Sequence, residues 1–313
     1  MTNSNLYDLI IIGGGPAGIT AGIYAGRQKL KTILIAKEIG GQLAKKVVDI
    51  ENYPGFEKIS RTELIERFKK HLEKFDIKIK KGEVVKIEKE KYFLVHLKGG
   101  DTLKSLAVII ASGADPKPLE VEGEKEFLGK GVSYCAICDG HFFKDKIVAV
   151  IGGGNAGFET AIFLSKIAKK IYILEYGEKV RANQTNQEIV KNLGKTEIIT
   201  SAQVKRFFGD QMLRGLVYID RISQKEIELP VNGVFIQIGN QPATSFAKGL
   251  VDFNERDEII VEFETCQTKT KGLFAAGDCN AGPFKQIVTA CGEGAKSSLA
   301  AFQYIQKLKS NKI

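Results

Sequence analysis

No apolar run in this sequence approaches the roughly 20 residues that a membrane-spanning helix requires. The first hydrophobic stretch, Leu9 to Ile12, stops at once at Gly13. The N-terminus does not read as a secretory signal peptide either, so no membrane partner is expected. Cysteine is scarce, with five in 313 residues. Only Cys135 and Cys138 stand close together; Cys266, Cys279 and Cys291 have neither disulfide-framework nor zinc spacing. That pattern excludes a disulfide-stapled secreted scaffold, points to no metal ligands, and fits a reducing cytoplasm. The net charge of +9 comes without any recognised nucleic-acid motif, and the lysines are spread along the chain, densest from Lys69 to Lys91. We therefore expect a solvated basic surface, attractive to an acidic partner, and no nucleic-acid ligand.

What the chain does have is glycine in a repeated arrangement. A length of 313 residues fits about two domains. The stretch Leu6 to Ile12 reads as a buried strand, Gly13-Gly14-Gly15-Pro16-Ala17-Gly18 follows, then a helical pattern to about Gln28 and a second strand from Lys31 to Ala36. G-x-G-x-x-G between a strand and a helix is the context that makes this pattern a nucleotide loop rather than a packing turn. Gly13 makes the tight turn, Gly15 lets backbone approach a pyrophosphate, and Gly18 lets helix pack on strand. The helix N-terminus then offers free N–H groups to the phosphates. The unit recurs at Lys146 to Leu174, with Gly152-Gly153-Gly154-Asn155-Ala156-Gly157 as its loop. The two differ at the end of the second strand. There the first unit has Ala36 and Lys37 and no acid, whereas the second has Glu175, placed to accept hydrogen bonds from both hydroxyls of a ribose. A 2′-phosphate would meet a like charge there, and Tyr176 and Gly177 supply no cation beside it, though Arg181 is close.

Between the units lies Cys135-Ala136-Ile137-Cys138-Asp139-Gly140. Two cysteines at this spacing close a small, exchangeable disulfide, which is redox chemistry rather than stapling; the bland alternative is a pair of buried structural cysteines. Gly40-Gly41-Gln42 and the stretch from Asp49 to Gly55 read as loops. Arg61 to Phe75 reads as a lysine-faced helix, followed by strand-like segments at Glu83 to Glu88, Tyr92 to Leu97 and Leu106 to Ile110. Asp115-Pro116-Lys117-Pro118 and Asn240-Gln241-Pro242 read as linkers. Val234 to Gly239 closes the second unit. Near the C-terminus Gly277-Asp278 ends a strand and can bring a carboxylate to a flavin's ribityl hydroxyls, and Ile287 to Lys307 is a final amphipathic helix.

Together these residues resemble the low-molecular-weight thioredoxin reductase family over nearly the whole chain. The resemblance implies an α/β protein of two Rossmann-like, three-layer nucleotide-binding domains, the NAD(P) domain inserted into the FAD domain. Residues 1–115 and 244–313 would form the FAD domain, and residues 116–243 the NAD(P) domain carrying the redox dithiol. It also implies a homodimer. FAD is expected against Gly13, Gly15, Pro16, Ala17, Gly18, Gly41, Gln42, Asn52, Val85, Ala111, Ser112, Gly113, Gly277, Asp278, Lys285, Gln286 and Ile287. The pyridine nucleotide is expected against Gly152, Gly154, Asn155, Ala156, Gly157, Glu175, Arg181 and Gly239. Family members that use NADPH carry a basic cluster after the second nucleotide strand, where this chain has Glu175-Tyr176-Gly177 and retains only Arg181. That feature, Gly157, Asp49-Ile50-Glu51-Asn52-Tyr53, Phe284 to Ile287 and Gly292 to Lys296 look like the flavoprotein subunit of alkyl hydroperoxide reductase. NADH is therefore expected ahead of NADPH. That subunit carries an N-terminal thioredoxin-like domain, whereas this chain begins with the FAD strand, so the acceptor is expected to be a separate protein.

By the same resemblance, electrons run from NADH to FAD and on to the Cys135–Cys138 disulfide. Cys138 faces the flavin, Asp139 handles the proton, and Cys135 attacks the disulfide of a thioredoxin, a glutaredoxin-like protein or a peroxidase-linked carrier. The dithiol lies just before the Lys146 strand, so it rides with the nicotinamide, and a hinge rotation at the two linkers is expected to alternate them at the flavin. His141 is read as a loop residue near the site, and Cys266, Cys279 and Cys291 as small buried hydrophobes. Competing readings are a ferredoxin-dependent reductase, disfavoured by the Gly152 to Gly157 loop and Glu175; an NADH-linked oxidase or peroxide-system reductase; and a non-catalytic redox sensor.

Overall fold

In the computed structural model, residues 6–45 and 50–310 are described. The position Asp49, quoted above for its resemblance, lies outside them. The chain divides into two compact units, Met1–Asp115 with Asn240–Ile313, and Pro116–Gly239.

The first unit is built on a seven-stranded sheet. Strands Lys78–Lys81, Thr32–Ala36, Leu6–Ile12 and Thr102–Ile110 run parallel in that spatial order, and Phe93–Leu97 and Val84–Lys89 continue it antiparallel. Leu273–Ala275 pairs in parallel with the end of Thr102–Ile110. The inner parallel strands are apolar on both faces where both are covered. Leu9, Ile10, Ile11, Val108, Ile109 and Ile110 are all 0% exposed, each contributing about 1.5–3 kcal/mol by burial. On one face lie the helices Pro16–Arg27 and Ile287–Ser310. They approach closely because Gly294 has no side chain; a Cβ there would stand 2.2 Å from the carbonyl oxygen of Ala17. On the other face Val95, Ile259 and Cys279 join the core. The Lys78–Lys81 strand went unread in the sequence, since its edge position leaves it mostly lysine. The helix expected from Arg61 runs to Leu72, capped by Ser60, whose side-chain oxygen accepts from the Glu63 N–H at 3.2 Å.

The second unit repeats the plan on a smaller scale. A five-stranded parallel sheet has the order Thr196–Ile199, Lys170–Leu174, Ile147–Ile151, Gly233–Ile236, Val132–Ser133. The helix Asn155–Leu164 packs on one face through Phe158, Ala161 and Leu164. The other face is covered by a three-stranded antiparallel sheet, Ala202–Gly209, Leu213–Asp220 and Glu226–Pro230, through Val204, Leu216 and Tyr218. This is the mixed α/β architecture of two Rossmann-like sheets expected from the sequence. The crossing segments Ala114–Pro116 and Asn240–Pro242 pair as a two-stranded ribbon. No helix among the described residues is long and apolar enough to cross a membrane.

Candidate redox and nucleotide sites

The dithiol loop is set by its two neighbours, one strand and one helix. Val132–Ser133 is the edge strand of the second sheet, and the chain then turns at Cys135 into the short helix Ala136–Asp139. Cys135 and Cys138 are joined as a disulfide, with Cα atoms 5.3 Å apart. Cys135 is the N-cap of that helix, and its Sγ accepts the backbone N–H of Cys138 at 3.3 Å. That N–H is the one backbone donor recorded on the Cys135 sulfur among the described residues. The Ser133 hydroxyl donates to Asp139 Oδ2 at 2.5 Å, and its oxygen accepts the Cys135 N–H at 2.9 Å. Asp139 Oδ1 is buried without a hydrogen-bond partner. The carboxylate thus has one oxygen held by the serine and one oxygen without a partner. Ile137, between the two cysteines, and Phe142, four residues after the second, stand 57% and 50% exposed.

Two further groups fix the loop. The Tyr134 hydroxyl donates to Glu124 Oε1 at 2.5 Å, and the same buried carboxylate accepts the N–H groups of Leu119 and Glu120 at 2.9 and 2.6 Å. Burial first, and the Glu124 carboxylate second, push the Tyr134 phenol well above its ordinary range. The Tyr134 carbonyl accepts the side-chain amide of Gln237 at 3.2 Å. Neither Ser133 nor Glu124 was singled out by sequence reasoning. Ser133, two residues before the first cysteine of a Cys-x-x-Cys-Asp run, was within reach as a short hydroxyl beside a functional acid; Glu124 carried no local signal.

In the second unit, Gly152, Gly154, Asn155, Ala156 and Gly157 come together at the N-terminus of Asn155–Leu164. Gly152 has φ +119°, and a Cβ on it would stand 2.4 Å from the Gln237 carbonyl oxygen; one on Gly157 would stand 1.9 Å from the Gly152 oxygen. Gly154 has nothing within 4 Å of its would-be Cβ. The loop is thus pressed shut on its inner side and open on the side facing the helix N-terminus, a fit for a dinucleotide's phosphates. Asn155 Oδ1 accepts the Asn183 N–H at 2.7 Å, and the Arg181 N–H donates to the Gly153 oxygen at 2.8 Å. Glu175 differs from the simple expectation. It is 5% exposed, and its oxygens already accept the backbone N–H groups of Gly153 at 2.6 Å and Gly177 at 2.8 Å. Gly239 has φ +109° and its carbonyl accepts the Lys117 N–H at 2.9 Å, at the unit's border.

In the first unit, Gly13, Gly15, Pro16, Ala17 and Gly18 form the corresponding loop at the N-terminus of Pro16–Arg27, with Pro16 in the first turn. Gly41 lies against it: the would-be Cβ of Gly15 has only the Gly41 Cα at 4.0 Å. Ala111 closes the inner side, its oxygen 2.0 Å from a Cβ built on Gly13, and Ser112 and Gly113 follow it. Gln42 donates through its side-chain amide to Asp115, and Asn52 to Gln286 at 3.1 Å. Gly277, at φ +78°, donates its N–H to Glu293 Oε2 at 2.7 Å, which orients the turn that presents Asp278. Lys285 is ion-paired with the buried Glu258 at 3.1 Å and donates to the Asn280 carbonyl; Ile287 opens the C-terminal helix. Val85 is 47% exposed on the Val84–Lys89 strand, which lies at the sheet's far edge from Lys78–Lys81. Cys279 and Cys266 are buried, and burial pushes their thiols up to about 11 and about 12.

Comparison with known proteins agrees with this arrangement. Residues 7–294 match the family described as pyridine nucleotide-disulphide oxidoreductase. The chain is 38% identical to an alkyl hydroperoxide reductase subunit of Escherichia coli over 99% of its own length but only 60% of that protein's, so it spans about three-fifths of that relative. It is 38% identical to thioredoxin reductase of Bacillus subtilis, covering 99% of this chain and 98% of that one. The crystal structure of thioredoxin reductase from Streptococcus pyogenes superposes with a TM-score of 0.90 at 35% identity, covering 97% of this chain and 100% of that one. On the match across both glycine-rich loops and the dithiol, the chain belongs to the pyridine nucleotide-disulphide oxidoreductase family.

Proposed function

We propose that this chain is an FAD-dependent dithiol–disulfide reductase of the thioredoxin reductase type, which takes electrons from a pyridine nucleotide, NADH ahead of NADPH, and delivers them to a thioredoxin-like protein disulfide. The observation that carries this reading is the Cys135–Cys138 disulfide, with a serine-held carboxylate at its side, in a chain that also holds two glycine-rich nucleotide loops.

Family membership implies FAD and a pyridine nucleotide, and the open sides of Gly15 and Gly154 fit one dinucleotide each. The first unit would hold FAD through Gly13 to Gly18, Gly41, Gln42, Gly277 and Asp278, and the second would hold the nicotinamide nucleotide through Gly152 to Gly157. When bound, the flavin supplies the conversion of a two-electron hydride donor into a reductant for a disulfide. The chain's own part is thiol exchange. With the disulfide open, the Cys135 thiolate attacks one sulfur of the partner's disulfide. A mixed disulfide forms and the partner's other sulfur leaves as a thiolate. The Cys138 thiolate then attacks Cys135 Sγ, which re-forms the internal disulfide and releases the partner's second thiolate. Asp139 sits within the loop to donate or accept the proton at Cys138. The exposed side chains of Ile137 and Phe142 give a partner an apolar approach. A homodimer is part of this proposal.

A second reading, a reductase feeding a peroxidase-linked carrier, is favoured by the 38% identity to the alkyl hydroperoxide reductase protein of Escherichia coli. The two are separated by the acceptor. Under anaerobic conditions the purified yellow protein should bleach with NADH, and faster than with equal NADPH. Supplied with oxidised thioredoxin, it should then turn over, and C135S should stop that turnover while flavin bleaching persists. Turnover with a peroxidase-linked carrier but not with thioredoxin selects the second reading. Bleaching by neither nucleotide would sink both.

A further inference from the structure

The turn after Glu175 holds a cation that does not come from its own stretch of sequence. Arg221, in the hairpin that follows the Leu213–Asp220 strand, lays its guanidinium over the Tyr176 ring, with Cζ 4.0 Å from the ring centroid. Its Nη1 donates to the Tyr176 carbonyl oxygen at 2.9 Å. The backbone beneath is tied in the same way: the Arg221 N–H donates to the Ser201 oxygen and the Ser201 N–H to the Gly177 oxygen, both at 2.8 Å, and the Ala202 N–H donates to the Glu175 oxygen at 2.9 Å. Arg221 is therefore fixed on the peptide that follows Glu175, the peptide whose N–H, from Gly177, binds Glu175 Oε1.

The charges at this corner are unequally spent. The Glu175 carboxylate is buried and shared between two backbone N–H groups. Arg221 is in no ion pair among the described residues. Its neighbour Asp220 is committed to the hairpin, accepting from the N–H groups of Ile222 and Ser223 and from the Ser223 hydroxyl. A guanidinium has five N–H donors in a planar fork, and among the described residues one of them is used here, so others remain for a phosphate. In this fold an acid at the end of the second strand marks the ribose of the dinucleotide. Arg221 lies on the turn that directly follows that acid.

We propose that Arg221 is a specificity-determining residue: it supplies the 2′-phosphate contact that the Glu175-Tyr176-Gly177 turn lacks, so that the chain accepts NADPH as well as NADH, with a narrow preference between them. This rests on reading the second unit as the pyridine-nucleotide site. Arg181, the one residue of the family's basic cluster that the sequence retains, contributes its backbone N–H to the glycine loop and has an exposed side chain, and it is the natural control.

The test is equilibrium binding of adenosine 2′,5′-bisphosphate and of 5′-AMP, with NADP+ and NAD+ alongside, to the intact protein at fixed ionic strength. In the unmodified protein the 2′-phosphate should weaken binding by no more than about tenfold, since a charge-assisted pair offsets the carboxylate; a larger penalty overturns the proposal. R221M keeps the aliphatic stem on the Tyr176 ring and removes the charge. It should shift the ratio of the two affinities against the 2′-phosphate by about tenfold or more. A loss of the same factor for both ligands reduces Arg221 to a structural prop and overturns the assignment, as does a selective loss in R181M instead. R221K should recover part of the ratio, and because it keeps a cation at the site it serves if R221M does not fold. An unmodified protein that binds neither 5′-AMP nor NAD+ would strike the underlying reading of the second unit rather than the role of Arg221.

Discussion

The two glycine-rich loops are built alike on the inside and differently on the outside. Gly13 and Gly152 have φ +122° and +119°, and each would drive a Cβ into the carbonyl of a neighbouring segment, Ala111 in one and Gln237 in the other. Gly18 and Gly157 each lie 1.9 Å, by the same construction, from the oxygen of the first glycine. The outer walls diverge. In the first unit the second glycine-loop residue, Gly14, faces Ala36 and the Glu38 carbonyl, and Gly40 donates its N–H to the Gly14 oxygen at 2.8 Å. In the second, Gly153 faces the Glu175 carboxylate, which takes its N–H. Backbone geometry makes a loop that admits a pyrophosphate; what stands behind the second glycine decides what the rest of the nucleotide meets.

The largest effect should come from breaking the shared part in each unit. G13A forces a non-glycine residue to φ +122° against a backbone oxygen, a cost of about 3 kcal/mol or more. The purified variant should be colourless or nearly so, as its FAD content reports. G152A carries the same insult in the other unit and should keep its FAD, bleach with dithionite, and fail to bleach with NADH. A colourless G152A would break the division of labour between the loops. Next is the outer wall. E175A removes two charge-assisted hydrogen bonds and leaves two N–H groups unpaired, a loss of about 2–4 kcal/mol. It should weaken NAD+ binding in a direct titration and lower the unfolding midpoint, with FAD content close to that of the parent. Below that in size stands S133A. Freed of its hydroxyl donor, Asp139 loses its fixed orientation, and disulfide turnover should fall about tenfold while NADH-driven bleaching is retained; equal loss of both would place Ser133 in folding rather than in thiol exchange.

The smallest effect concerns the first unit alone. Burial lifts the Cys279 thiol from 9.0 to about 11. Below the unfolded value both states hold the proton and the fold has its full stability. As pH rises from there toward the folded value, only the unfolded chain releases it, and stability falls at about 1.4 kcal/mol per pH unit for this group. The slope of unfolding free energy against pH between about 9 and 11 should therefore be shallower in C279A than in the parent; parallel slopes would mean that Cys279 ionises without opening the core.

Much of the fold was legible because glycine signals are local. A residue that must adopt positive φ or tolerate a carbonyl 2 Å away declares itself by type, and a buried parallel strand declares itself by an unbroken apolar run such as Leu9 to Ile12. The Cys-x-x-Cys spacing is legible for the same reason. The Lys78–Lys81 strand was not, because its pairing with Thr32–Ala36 is through backbone and its side chains are solvated. The state of Glu175 was not either. Its position was readable, but whether its oxygens face a ligand or the chain's own N–H groups depends on how the Gly153 and Gly177 peptides are turned. Arg221 on Tyr176 and Lys285 on Glu258 join residues far apart in sequence; only tertiary closure brings such partners together.

The order in which the chain leaves the ribosome does not match the order in which its parts can be finished. The first unit draws on both ends of the chain, and its Thr102–Ile110 strand lacks the parallel partner Leu273–Ala275 until residues beyond 275 have been made. The second unit is continuous from Pro116 to Gly239, so every strand it needs is present once that stretch has emerged. Domains generally fold as units during synthesis, and contacts distant in sequence form late. The unit begun second therefore completes first, and the N-terminal sheet waits with the end of its Thr102–Ile110 strand unpaired on one side.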